Sequence, residues 1–191
     1  MPILDHFDII APFYDRVIAY QYIAKLLKMV DLPVKGILLD AGGGTGRVAQ
    51  SLKGMAQLVV IADLSLGMLQ QANQKGGLET LGSSIEKLPF PAESFDRVLM
   101  VDALHHVYSQ KDTSLELWRV LKPGGRLVIE EPDIRKVSVK LIAFAEKLAM
   151  MRSHFLSPPE IARLFSFSDA ESRIEIDGYN AWIIVTKNPA D

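Results

Sequence analysis

Short apolar runs that stop on an acid or a glycine alternate with helical stretches along most of this chain, and that alternation constrains the fold most. Gly36-Ile37-Leu38-Leu39-Asp40, Leu58-Val59-Val60-Ile61-Ala62-Asp63, the run Phe95 to Asp102 and Arg126-Leu127-Val128-Ile129-Glu130 read as strands, with a shorter one at Glu79 to Leu81. Helical stretches separate them, so the strands must run parallel through crossover connections. The end of the chain breaks this rhythm. Arg173-Ile174-Glu175-Ile176-Asp177 alternates with period two, Gly178-Tyr179-Asn180 is a turn, and Ala181-Trp182-Ile183-Ile184-Val185 is apolar throughout. So short a turn makes the last two strands antiparallel, and the uninterrupted run predicts that the final strand inserts inside the sheet with its partner at the edge. The expected fold is α/β: a doubly wound, mostly parallel sheet of roughly seven strands with an antiparallel C-terminal hairpin.

Between the strands, Tyr14, Ile18, Tyr22 and Leu26 recur every four residues and predict a helix from Pro12 to Val30. A further helix is read over Arg47 to Lys53. Ser65 is the expected N-cap of a helix carrying Met68, Leu69 and Ala72, ended by Gly76-Gly77. Thr113-Ser114-Leu115-Glu116 reads as a capping box opening a helix that Pro123-Gly124-Gly125 stops, and Ser157-Pro158-Pro159-Glu160 as a second such start. Val137, Leu141, Phe144, Leu148 and Met151 share one side of a helix between them. The stretch Pro132 to Ala170, with Phe144, Leu148, Met151, Phe155 and Phe165, reads either as a lid over a small, partly apolar acceptor or as an ordinary crossover helix packed on the sheet, the reading taken for Phe144 and Leu148.

The 191 residues fit one domain. Within it we expect an N-terminal helical cap (1–33), a core (34–131), a helical segment (132–170) and a terminal hairpin (171–191). A formal charge of −2 supplies no global basic field for a nucleic-acid backbone. The chain has no Cys, which excludes disulfides, thiolate nucleophiles and iron–sulfur clusters. No apolar run approaches the roughly 20 residues of a membrane span. Met1-Pro2-Ile3-Leu4-Asp5-His6 lacks the pattern of a secretory leader, so a cytoplasmic location is expected.

Asp40-Ala41-Gly42-Gly43-Gly44-Thr45-Gly46 lies where an open α/β sheet places its ligand crevice. Glycines there let backbone approach a ligand, although a plain tight connection reads the same way. No Gly-Lys-Ser/Thr follows, so the loop is not of the NTPase kind. A dinucleotide fingerprint counted from Gly42 needs Gly at position 47, where Arg47 stands; this and the hairpin disfavour a dinucleotide-dependent oxidoreductase. Asp63 ends the second strand, where a carboxylate accepts both hydroxyls of a ribose. Its other reading is a helix cap, for which Ser65 is better placed.

These segments together resemble the class I S-adenosylmethionine-dependent methyltransferases, in particular the small-molecule group that includes the ubiquinone/menaquinone biosynthesis enzymes. The resemblance runs from about Phe7 to Glu131. It rests on Leu38 to Arg47, Asp63-Leu64-Ser65-Leu66-Gly67-Met68-Leu69-Gln70-Gln71-Ala72, Glu86 to Asp96, Leu104-His105-His106-Val107 and Leu121 to Leu127, in that order. It implies a Rossmann-like methyltransferase fold and S-adenosyl-L-methionine as cofactor. It further implies that Gly42, Gly43 and Gly44 approach the methionine part, that Asp40 anchors the loop, and that Asp63 holds the ribose. By the same resemblance Leu64 and Met68 pack on the adenine, Ser84, Ile85 and Glu86 meet its edge, and Asp102 and Ala103 lie beside the methionine moiety. Ser84 stands where family members often carry Asp, and a neutral hydroxyl accepts the adenine amino group more weakly. An N-terminal helix covering the cofactor is also implied, with Tyr14 or Tyr20 facing the sulfonium, whereas Tyr22 is expected in the core.

Methyl transfer from a sulfonium is an in-line displacement that gains much from alignment, and it needs a base only when the acceptor must lose a proton. His106 is the candidate base, set against the reading that His105 and His106 merely cap or pack under the next helix. His6 and His154 are expected at the surface. Glu130 and Glu131 either bind a cationic acceptor or simply end their strand. The acids and histidines show no metal-ligand spacing, so no metal is expected. The expected partner is a small-molecule acceptor and not nucleic acid, with no membrane span and with a homodimer left open. A non-catalytic cofactor-binding or scaffold protein of the same fold is the competing reading.

Overall fold

The computed structural model describes Ala11 and residues 20–148 and 153–189. Seven strands form one sheet: β1 (Ile37–Ala41), β2 (Leu58–Asp63), β3 (Glu79–Gly82), β4 (Phe95–Val101), β5 (Leu121–Pro132), β6 (Ala170–Asp177) and β7 (Asn180–Lys187). Their order is β3-β2-β1-β4-β5-β7-β6. The pairs from β3 through β5 are parallel, and β7 runs antiparallel to both neighbours. The described α-helices are α1 (Ile23–Val30), α2 (Leu66–Gln74), α3 (Gln110–Val120), α4 (Val137–Leu148) and α5 (Pro158–Leu164). No described helix is long and apolar enough to cross a membrane.

Adjacent strand residues explain the layering. Leu38 and Leu39 point to opposite faces, and both are fully buried, each in a different apolar cluster. Leu39, Val98, Leu117, Ile129, Phe165 and Ile183 pack on one side of the sheet. Leu26, Leu38, Ile61, Leu99, Val128 and Trp182 pack on the other. A strand covered on both faces needs a continuous apolar run, which β7 has and the wet edge strand β6 lacks. Both hairpin expectations therefore hold.

Several boundaries differ from the sequence reading. Of the helix predicted from Pro12, residues 12–19 and with them Tyr14 lie outside the described residues, and α1 begins only at Ile23. Tyr20 and Tyr22 precede it, because tertiary contacts claim both rings: Tyr22 stands edge-on to Trp182 and to Tyr20. The stretch after the glycine loop makes only a 3-10 turn, Ala49–Leu52. Thr113 and Ser114 do not open α3. Ser109 does, its hydroxyl accepting from the Asp112 N–H at 3.2 Å, and Thr113 is buried inside the helix. Pro123-Gly124-Gly125 does not separate helix from strand but forms a bulge within β5, between the pairs Phe95–Leu121 and Arg97–Arg126. The caps at Ser65 and Ser157 are as expected. On α4, Val137, Leu141 and Phe144 are 73%, 66% and 60% exposed and so do not pack on the sheet, while Val139 is buried; the Leu148 side chain and Met151 lie outside the described residues.

Candidate active site

Strand order reverses direction at β1, which has β2 on one side and β4 on the other. Connections leave this point toward opposite faces, and the carboxyl ends of the strands open a crevice there. The first loop enters it as Gly42, Gly44 and Gly46, all with positive φ. A Cβ on Gly42 would lie 2.7 Å from the Ala103 methyl, so the loops after β1 and β4 meet at a glycine by necessity. A Cβ on Gly44 would find nothing nearer than Asp63 Oδ2 at 3.8 Å and Met68 Sδ at 3.9 Å. Gly44 thus borders open space, floored by Met68 and walled by Asp63.

Asp63 plays two parts. Its Oδ2 accepts from the Gly44 N–H and its Oδ1 from the Ser65 N–H, both at 2.8 Å. It ties the glycine loop to the start of α2. Ser65 is nonetheless the cap, accepting from the Met68 N–H at 3.1 Å. Beside Asp63, Leu64 is exposed.

Asp40 is buried beneath the loop. A Cβ on Gly43 would lie 2.6 Å from its Oδ2, and that oxygen has no hydrogen-bond partner. Burial pushes this carboxyl up to about 7; Arg47 and the Ala49 backbone N–H pull against that, while neighbouring Asp63 adds to it. The bond to Ala49 makes Asp40 the anchor of the turn that follows the loop.

The third wall is the segment after β3. The Ser84 hydroxyl donates to Glu86, whose carboxylate also accepts from the backbone N–H groups of Tyr108 at 2.7 Å and Ser109 at 3.3 Å. Burial raises the Glu86 carboxyl, but these donors outweigh it and hold the group below its ordinary range. Glu86 therefore welds the Ser84–Glu86 loop to the start of α3, and Ile85 is buried in the core.

Beyond β4, Asp102 takes a left-handed backbone, φ 51°, uncommon for a non-glycine residue. Its carboxylate pairs with Arg47 at 2.8 Å, and its N–H donates to the Glu130 carbonyl at 2.9 Å. Burial raises the Asp102 carboxyl, nearby Glu131 adds to this, and Arg47 opposes it. The Arg47 guanidinium lies 5.5 Å from the Tyr20 ring centre. The Tyr20 hydroxyl donates to Glu130 at 2.5 Å, and Asn180 donates to the other Glu130 oxygen at 2.6 Å. The sequence reading singled out Tyr20, Asp102 and Glu130 separately. It used Arg47 to exclude a dinucleotide, to open a helix and to end the glycine-loop motif, and gave its side chain no partner.

The two histidines divide. His105 is buried, its Nδ1 2.5 Å from Glu131 and its ring stacked on Phe155. Glu131 also accepts from the Leu104 N–H at 2.7 Å. The packing role fits His105, and it gives Glu131 a partner within the protein. His106 is only half-buried. It lies against the His105 ring at 3.9 Å between centroids, with Nδ1 3.5 Å from Ser153 Oγ. His154 is exposed, as expected, but its N–H donates to the His105 carbonyl at 2.8 Å. The segment around it thus passes over the pair. His6 lies outside the described residues.

This crevice and sheet order recur in known proteins. A family model described as a methyltransferase domain matches residues 39–129. The chain is 34% identical over 122 residues to the ubiquinone/menaquinone biosynthesis C-methyltransferase UbiE of Pseudomonas fluorescens, a match covering 56% of this chain and 48% of the relative. It is 35% identical over 139 residues to the enzyme of the same name from Syntrophotalea carbinolica, covering 65% and 59%. The chain thus spans about half the length of the curated relatives it matches. Among solved structures, a Haloferax volcanii chain in complex with the Trm112 methyltransferase activator superposes with a TM-score of 0.81 at 18% identity, covering 97% of this chain and 99% of that one. A Thermotoga maritima S-adenosylmethionine-dependent methyltransferase, a possible histamine N-methyltransferase, gives 0.79 at 23% identity, covering 95% and 98%. A DhpI–S-adenosylhomocysteine complex gives 0.72 at 17%, covering 97% and 95%.

Fold and crevice together are similar to those of solved S-adenosylmethionine-dependent methyltransferases, and residues 39–129 match the methyltransferase-domain model. Over its matched residues the chain is similar to the UbiE C-methyltransferases, and the group to test against this crevice is S-adenosylmethionine, whose product is bound in the DhpI complex. The residues present fit that group: Gly44 borders a space that a side chain would fill, and the Asp63 carboxylate stands beside it.

Proposed function

We propose that this enzyme methylates a small molecule by in-line displacement at the carboxyl ends of β1 and β4. The observation that carries this reading is the open cradle at Gly44, walled by Asp63 and Met68 at the switch point of the sheet. When bound, the cofactor supplies an electrophilic methyl group on a sulfonium. The chain's own residues then have distinct tasks. Asp63 would hold the ribose hydroxyls and Gly42–Gly44 the methionine side. Leu64, Met68, Ser84 and Ile85 would line the adenine side, where Glu86 fixes the loop. Ala103 keeps the loop after β4 against Gly42. His106, beside the buried His105–Glu131 pair, would take a proton from acceptors that must lose one. The names of the curated relatives support a small-molecule acceptor. We further propose that residues 34–131 bind the cofactor within a single catalytic domain, with 1–33 as a cap, 132–170 on the acceptor side and 171–191 completing the sheet.

The test is calorimetric titration with S-adenosylhomocysteine, then a metabolite screen for S-adenosylmethionine turnover. Saturable binding with acceptor-dependent release of S-adenosylhomocysteine is expected. Binding without turnover across phenol, amine, thiol and activated-carbon acceptors would count against the small-molecule reading.

A further inference from the structure

We propose that β6 is the docking edge for a second copy of this chain, the two β6 strands running antiparallel about a two-fold axis at Ile174. Among the described residues the sheet has two outer strands, β3 and β6. β3 has only four residues, and so short an edge is a poor template for another strand. β6 has eight, carries no Pro, Gly or Lys, and pairs with β7 from Ala170 to Asp177 without a bulge. Edges that must stay single are broken by such residues or bulges, and β6 is not.

The hairpin sets which backbone groups are open. The turn Gly178-Tyr179 makes Asp177 and Asn180 a hydrogen-bonded pair, and such pairs alternate with unbonded ones along an antiparallel ladder. Glu175 and Arg173 therefore bond inward to β7, while Ser172, Ile174 and Ile176 turn their N–H and C=O groups outward. Ile174 and Ile176 also share one face of the strand, where they are 37% and 43% exposed.

The charges of β6 choose both the occupant and the register. With the axis at Ile174, each Ile174 N–H donates to the other copy's Ile174 carbonyl, and Ser172 pairs with Ile176 of the second copy. Arg173 and Glu175, which pair within one strand, then face each other between strands on both sides of the axis. Glu171 meets Asp177, whose charge Lys25 already balances at 2.9 Å. An axis at Arg173 or at Glu175 sets that charge against its own copy, and an axis at Ser172 carries Ile176 past the end of the facing strand. Only the Ile174 register joins opposite charges and covers both isoleucines. β5 and β7 stand between β6 and β4, so the crevice stays open in each copy.

Sedimentation velocity of the full chain over a roughly hundredfold concentration series should show a monomer–dimer equilibrium. Ile174→Lys sets a cation against its own copy on the axis and should leave a monomer with an unchanged circular dichroism spectrum. Arg173→Glu and Glu175→Arg should each weaken the dimer by about 10- to 100-fold, because attractive facing pairs become repulsive. An equimolar mixture of those two variants should regain a dimer, since acids then face cations across the axis. A charge pair that acts only within one strand gains nothing from mixing. The register is read with cysteine, which the chain lacks. Hydrogen-bonded residues across an antiparallel pair have Cα atoms about 5.5 Å apart, within disulfide reach. Ile174→Cys treated with diamide should therefore give a covalent dimer, and Ser172→Cys should not. A wild type that stays monomeric throughout the series would overturn the pairing. So would a dimer indifferent to Ile174→Lys, or one that crosslinks through Ser172→Cys in preference to Ile174→Cys.

Discussion

Asp63 shows how one side chain serves fold and function together. Both of its oxygens already accept a backbone N–H, one from the glycine loop and one from the start of α2. Asp63→Ala therefore removes the carboxylate from the ribose and loosens Gly44. We expect S-adenosylhomocysteine affinity to fall by about 1.5–3 kcal/mol, the range for hydrogen bonds to a charged group, as read by calorimetry. An unchanged dissociation constant would remove Asp63 from the ribose site. The sequence reading favoured His106 over His105 as the base, and burial and partners separate them in the structure. If His106 is the base, His106→Ala should lower single-turnover methyl transfer by roughly 10²–10⁴-fold and erase the fall in rate toward acid pH, with cofactor affinity intact. Parallel pH profiles in the two proteins would leave alignment alone to account for the chemistry.

At the scale of elements, caps and stripes behaved differently. The Ser65 cap was legible because a short polar side chain before an apolar run satisfies the first free N–H groups of a helix with no help from elsewhere. Ser65→Ala should cost about 1 kcal/mol in urea unfolding, and a cost near zero would mean that Asp63 alone suffices to cap α2. The false capping box at Thr113 fails because Ser109 offers the same chemistry one turn earlier and α3 buries Thr113 against the core. On α4 periodicity predicts a stripe but carries no information on which face turns inward, and its Val137, Leu141 and Phe144 are exposed. Phe144→Ser should change stability by less than about 0.5 kcal/mol, as surface substitutions do, whereas a residue packed on the sheet would cost several times more. Chemical denaturation of the two proteins decides between them.

The whole molecule meets at Glu130, where β5, β7 and the segment before α1 join through Asn180 and Tyr20. Burial pushes this carboxyl up to about 7, with Asp102 adding to it and the bonds from Tyr20 and Asn180 opposing. In the unfolded chain a glutamate titrates near about 4.3. Across that window the folded state keeps a proton the unfolded state has lost. The stability this contributes is complete below the unfolded value and is lost as pH rises through about 7. Between about pH 5 and about pH 8 the ligand-free wild type should lose roughly 1–3 kcal/mol more than Glu130→Gln, which has no proton to lose. Matching pH slopes for the two proteins, from urea titrations, would show that Glu130 is ionised throughout.

The sequence by itself determined the strands, their parallel pairing, the inserted final strand and the glycine loop with its two acids. Each of these follows from local pattern: period two or unbroken apolarity for strands, glycine where backbone must take positive φ, an acid where a strand ends. Only the tertiary structure decided that Arg47 faces Asp102, that Glu131 belongs to His105 and that Tyr20 rests on Glu130. These are meetings between residues 26 to 110 positions apart, set by strand order and register. Local spacing cannot encode them, because which buried charges become partners depends on where the sheet brings their strand ends together.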